Sequence, residues 1–240
     1  MHTTALFSAF MAGLAAASPL SLTQRQFQGN YPPRTTADAF KLVANISTPS
    51  NIFDPPVNNW FLSGVHVGAG LNAAILVPTL NTSATFFING TGRDVSAQFT
   101  SIALPPIKFQ GGATPLGLRF PPLEGQQNPV NLGLNFGPGN TGAGVVGGLR
   151  SPWAQAFTPY PYFIVCNETQ PAYGRPQHAV KVAPSAESIP DNCVAVTFLA
   201  QCAALPEGVF EGEGVEELNI HHVGAPCYED VGAIDWSRYD

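Results

Sequence analysis

Charge is scarce in this chain: only 11% of its 240 residues are Asp, Glu, Lys or Arg, and only ten are basic. No run of Lys or Arg forms a stripe, so the electrostatic footprint of a nucleic-acid binder or of a protein held on an anionic membrane is missing. No long segment spaces apolar residues as an amphipathic helix requires. The sequence also lacks a Cys-x-x-Cys pair, a Gly-x-Ser-x-Gly elbow and a His-Glu-x-x-His helix, the signatures of structural zinc, serine hydrolases and zinc proteases. Beyond the first residues no stretch reaches the roughly 20 apolar residues of a membrane-spanning helix, so a membrane is not an expected partner.

What the chain has instead is punctuation. Its 24 Gly and 23 Pro separate short segments rich in β-branched and aromatic residues, which is the pattern of an all-β protein. The expected strands are Phe40 to Ile46, Trp60 to Val67, Asn72 to Val77, Ala84 to Ile88, Ser96 to Ala103, Val130 to Phe136, Tyr162 to Cys166, His178 to Val182 and Cys193 to Leu199. Pro-Pro pairs beginning at Pro32, Pro55, Pro105 and Pro121 read as loops, because proline cannot donate to a ladder. A single two-sheet β-sandwich with long Gly/Pro-rich loops, over residues 37–205, is the expected fold, and a barrel is the second choice.

At the N-terminus, Ala5 to Ala17 is a short apolar stretch ending in Ala15-Ala16-Ala17, followed by Ser18-Pro19. It reads as a secretory signal peptide over residues 1–17. Residues 18–36 then form a leader, or a propeptide cut after Arg25. Secretion gives meaning to four Asn-x-Ser/Thr acceptors, Asn45, Asn81, Asn89 and Asn167, which become expected N-glycosylation sites. Asn45 lies on the strand face opposite Phe40, Leu42 and Ala44, and Asn89-Gly90 reads as a hairpin tip.

An even cysteine count in an oxidising compartment implies two disulfides among Cys166, Cys193, Cys202 and Cys227. If Cys193 to Cys202 is one strand its ends lie roughly 30 Å apart, too far for a bond that needs Cα atoms within about 7 Å. Two pairings stay open, of which Cys166 with Cys202 and Cys193 with Cys227 is the expectation.

Nine of the 16 acidic residues lie between Glu207 and Asp240, against one base, Arg238. Residues 206–240 therefore read as a short acidic, disulfide-tied C-terminal extension packed on the domain. Within it His221, His222, Glu229 and Asp230 are metal-ligand types, but adjacent strand residues face opposite ways, and no metal is expected. Carboxylates at Asp38, Asp54, Asp94 and Glu124, with His66 or His178, offer no recognisable catalytic setting. The aromatics Trp60, Trp153, Tyr160 and Tyr162 are candidates for stacking on a glycan, with burial as the alternative role of such side chains.

Gly142-x-Gly144-x-x-Gly147 with Glu168 downstream has the wording of a dinucleotide fingerprint. That motif works only when a strand enters the glycines and a helix leaves them. Here Gly137 to Thr141 intervenes before, and Pro152, Pro159 and Pro161 leave no room for a helix after. The stretch reads as a flexible Gly-rich loop, and no nucleotide or other cofactor is expected.

Four stretches remain: Val65-His66-Val-Gly68-Ala-Gly70-Leu71 within Phe61 to Leu76, then Tyr162 to Asn167, then Ile189 to Val194, and Cys227-Tyr-Glu-Asp-Val-Gly-Ala-Ile-Asp-Trp236-Ser-Arg-Tyr239. Together they resemble a family of small secreted proteins of filamentous (ascomycete) fungi with a domain of unknown function. The resemblance implies an extracellular fungal protein with matching cysteines, and it carries over no catalytic residue. The missing catalytic motifs and the aromatic cluster make non-catalytic binding of a glycan, a cell-wall component or a host surface the expected function. The alternative is a secreted carbohydrate-active hydrolase or lyase assembled from distant loops.

Overall fold

The computed structural model describes residues 31–46, 51–109, 112–147, 153–170, 175–210 and 220–239. The expected signal peptide, the leader up to residue 30 and the acidic run 211–219 lie outside these, as does Ser47 of the first acceptor triplet.

The described chain is almost all β. Strands β1 (Thr35–Ala37), β2 (Ala39–Asn45), β3 (Phe61–Gly68), β4 (Leu71–Val77) and β5 (Phe87–Asn89) lead to a helix, α1 (Gly92–Ala97). There follow β6 (Ser101–Phe109), β7 (Gly112–Arg119), β8 (Val130–Asn131), β9 (Gly133–Phe136), β10 (Gly144–Val146) and β11 (Gln155–Phe157). The last are β12 (Tyr162–Gln170), β13 (Arg175–Ala183), β14 (Cys193–Ala203), β15 (His222–Val223) and β16 (Ala225–Cys227).

The expected two-sheet sandwich is replaced by a barrel. Strands run antiparallel in the order β4-β3-β2-β14-β12-β13, and β13 returns to β4 at Ala179 opposite Ile75, closing six strands on themselves. Inward/outward alternation along a strand is the same in a sandwich and a barrel, so only this one edge pairing distinguishes them. From β4 the ladder also continues outward through β9, β7, β6, β5 and β15. The β4/β13 seam is bridged by Leu132: its N–H donates to Val180 O at 3.2 Å and its carbonyl accepts from Ala74 N at 3.0 Å.

The core follows from period-two patterning. On β2, Phe40, Leu42 and Ala44 enter the main core with Phe86, Phe163 and Phe198. Val43 points the other way and is buried with Leu199, Ala154, Tyr228 and Val231. The outer cluster exists because segment 220–239 folds back over the β2/β14 pair: β16 pairs with β1, with Thr35 opposite Cys227. A fully buried Phe such as Phe198 contributes about 3–5 kcal/mol relative to alanine.

The disulfides differ from expectation. Cys166 bonds Cys193, and Cys202 bonds Cys227, with Cα separations of 4.0 and 5.1 Å. The reason is register: β12 and β14 are neighbours in which Cys166 stands directly opposite Cys193, while the far end of β14 carries Cys202 to β16. Other local readings change as well. Pro105-Pro106 is not a loop but lies inside β6, where the register to β7 shifts between Leu104 and Ile107; a bulge tolerates the missing N–H. The expected strand Ser96 to Ala103 is the end of α1 followed by β6. α1 begins because the Thr91 side chain accepts from Asp94 N while Asp94 accepts from Thr91 N, a capping box. The stretch expected to be one flexible Gly-rich loop contains β10, paired with β11.

Candidate functional site

The four sequence-selected aromatics do not form one flat face. Tyr160 is buried, its hydroxyl donating to the carbonyl oxygens of Pro121 and Pro122 at 3.1 and 3.2 Å, and burial raises its pKa. Trp153 packs against Tyr31 and Trp236, with ring centroids 5.7 and 5.4 Å away, where the C-terminal segment docks. Trp60 meets the His178 ring edge-on at 4.9 Å against the main core. Tyr160 and Tyr162 share a cleft about 480 Å³ in volume, together with Asn45, Gln155, Thr158 and Thr197.

Asn45 is thus half-buried beside that cleft rather than on an open face. Asn81 and Asn167 are exposed. Asn89 is not at a hairpin tip: it precedes α1, and its Oδ1 accepts from His221 N at 3.1 Å.

Among the charged candidates, Asp94 serves the α1 cap, and its hydrogen bonds to Thr91 hold its pKa below the usual carboxylate range. His178 sits between Phe53 and Trp60, and burial depresses its pKa. Asp230 Oδ1 accepts from Gly232 N and Ala233 N, while the His222 ring stacks on Phe210. Among the described residues, one group of metal-ligating types converges, Cys166, Glu168 and Cys193. Its two sulfurs are consumed in a disulfide and Glu168 pairs with Lys181 at 2.6 Å, so it offers no thiolate to an ion. Glu168, the apparent ribose ligand of the fingerprint, is therefore part of a cross-strand ion pair.

A second cleft, absent from the sequence-based expectations, is larger at about 730 Å³. It lies beside Leu132, which bridges the β4/β13 seam, between the β3–β4 turn, the end of β7 and the 130–136 segment. The turn is tight because Gly70 takes a φ of 68°, and a Cβ there would come within 2.6 Å of the Phe136 ring. Phe136 N donates to Gly70 O at 3.0 Å, locking turn to strand. The exposed large apolar side chains of the wall are Val67, Leu71 and Phe136, at 40, 48 and 40% exposure.

The polar part consists of Asn72, Asn131, Asn135, Asn140 and Arg119. Asn72 Nδ2 donates to Leu134 O at 2.8 Å, and Asn72 N donates to Asn135 Oδ1 at 3.1 Å. Asn140 Oδ1 accepts from Phe120 N at 3.0 Å. Arg119 Nη2 donates to Phe136 O at 3.3 Å. Among the described residues lining this cleft none is acidic, and none is His, Lys, Ser, Thr, Tyr or Cys. A sequence signal for it exists: Asn131, Gly133 and Asn135 alternate with the buried Leu132 and Leu134, which puts the amides on one outward face.

An all-β barrel, tied by two disulfides and carrying amide-lined clefts on its surface, is the class of protein this defines. The chain belongs to the fungal family defined by the domain of unknown function DUF7907, whose sequence profile matches residues 37–202. It is 32% identical over 231 residues to the antigenic protein SchS34 of Stachybotrys chartarum, covering 91% of this chain and 98% of that one. No solved structure matches it significantly.

Proposed function

We propose that this is a secreted, N-glycosylated fungal protein that binds a glycan or a cell-surface component and performs no catalysis. The observation that carries the reading is the lining of the 730 Å³ cleft: amides, one guanidinium and exposed apolar side chains. Amides beside a hydrophobic wall suit a hydroxyl-rich ligand, with the polar groups fixing orientation and the apolar ones supplying contact. General acid–base or nucleophilic chemistry needs side chains that this lining does not contain. Glycoside hydrolysis needs two carboxylates across one bond, and neither this cleft nor the Tyr160/Tyr162 cleft has one among its described residues.

Secretion is supported by the two disulfides, and glycosylation by the exposure of Asn81 and Asn167. A relative described as antigenic fits a protein met outside the cell. The test is to express the full chain in a fungal host and collect the medium. Glycopeptide mapping should find Asn81 and Asn167 occupied, and an array of plant and fungal cell-wall glycans should retain the protein. Retention on no glycan would overturn the binding reading.

A further inference from the structure

The hydrogen-bonding groups of the seam cleft are unequal in kind. Asn135 and Asn140 each spend their carbonyl oxygen on a backbone N–H, and this fixes which end of each amide is which. Their NH2 groups are the ends left over, and each offers donors only. Arg119 spends one N–H on Phe136 O, and its guanidinium lies so close to Gly137 that a Cβ there would come within 2.6 Å of Nη2. The rest of its five-donor fork stays available in one place. Among the described residues no carboxylate pairs with Arg119, the ion pairs there being Lys181 with Glu168 and Arg238 with Asp235. The protein as a whole carries a net charge of −6, so an anionic ligand is attracted to this cation and opposed elsewhere.

We infer that the seam cleft selects an acidic saccharide, one whose ring bears a carboxylate, with Arg119 and the NH2 groups of Asn135 and Asn140 receiving the acid and Phe136 and Leu71 covering a sugar face. This rests on the glycan-binding reading and deepens it. A guanidinium grips a carboxylate through two parallel N–H···O bonds, about twice as strong as neutral ones, whereas a neutral sugar leaves that fork without its matching acceptor. An isolated carboxylate would satisfy Arg119 but would not use the exposed apolar wall.

The experiment is calorimetric titration of the full-length protein with four probes: tetragalacturonate, tetraglucuronate, cellotetraose and succinate. Both uronate oligomers should bind, and cellotetraose and succinate should bind at least about tenfold more weakly. The variant Arg119→Gln should lose that preference, while its unchanged melting temperature shows an intact fold. Asn131→Ala, which removes a cleft amide with no hydrogen bond to the described protein, should weaken all saccharides alike. Equal binding of cellotetraose, or an acid preference that survives Arg119→Gln, overturns acid selection and leaves glycan binding standing. Succinate binding as tight as the uronates overturns the saccharide assignment. Binding of no probe, with no retention on the wider glycan array, removes the glycan-binding reading and this inference together.

Discussion

Cys166 on β12 and Cys193 on β14 stand directly opposite one another and are bonded, closing a loop 27 residues long that contains the whole of β13. Removing the pair as Cys166→Ala/Cys193→Ala should cost about 3–4 kcal/mol, because the unfolded chain regains the entropy of that loop. Peptide mapping without reduction should recover Cys166 with Cys193 and Cys202 with Cys227. Denaturant titration of the double variant measures the loss.

His178 should make stability depend on pH. Its pKa is lowered from 6.5 by burial between two aromatic rings. Above about pH 6.5 the ring is neutral in both folded and unfolded chains and contributes no pH dependence. As pH falls below that value the unfolded chain takes up a proton that the folded protein resists, so stability falls until the folded pKa is reached. Thermal melts at pH 7.5 and 5.5 should show a larger drop for the native protein than for His178→Phe. Equal drops would assign the pH dependence to other groups.

Gly117 permits a backbone crossing. A Cβ at this position would sit 1.9 Å from Gly139 N and 2.4 Å from the Pro138 carbonyl carbon. That loop is fastened to β7 by Gly137 N to Pro115 O and Asn140 N to Leu118 O, both at 2.9 Å. Gly117→Ala should therefore destabilise by roughly 1–3 kcal/mol or more. Gly92→Ala, where nothing lies within 4 Å of the added carbon, should be neutral or slightly stabilising in α1. Chemical denaturation of the two variants side by side checks the contrast.

Tyr228 holds the C-terminal segment with one polar atom as well as its ring. Its hydroxyl accepts from the buried Ala154 N at 3.1 Å. Tyr228→Phe keeps the ring contact with Trp236 but strands that N–H, at a cost of about 1–3 kcal/mol. The melting temperature should fall, and hydrogen exchange at Ala154 should accelerate.

The barrel strands β2, β3, β4, β12, β13 and β14 were legible in the sequence as short segments rich in β-branched and aromatic residues, set apart by Gly and Pro. β7 was not, since its Gly and Pro content reads as loop until the crossing at Gly139 explains Gly117. The unbroken strand expected from Val130 to Phe136 is two short ones, divided where Leu132 bridges the seam. Closure of the barrel turns on Ala179 meeting Ile75, a contact between residues 104 positions apart that no local pattern encodes. The aromatics drew attention through their size, and size served burial at Tyr160 and docking at Trp153. The seam cleft was missed because asparagine carries no catalytic signature. Its meaning comes from Arg119 and Gly70, brought to it by other strands.

The family match ends at Cys202, yet the sulfur of Cys202 is bonded to Cys227, and Val43 and Leu199 are kept from water by Tyr228 and Val231. A fragment cut at the family's boundaries would carry an orphan thiol and an uncovered oily strip along β2 and β14. The unit that folds is longer than the profile that marks the family, and recombinant work on this protein should keep residues 203–240 attached.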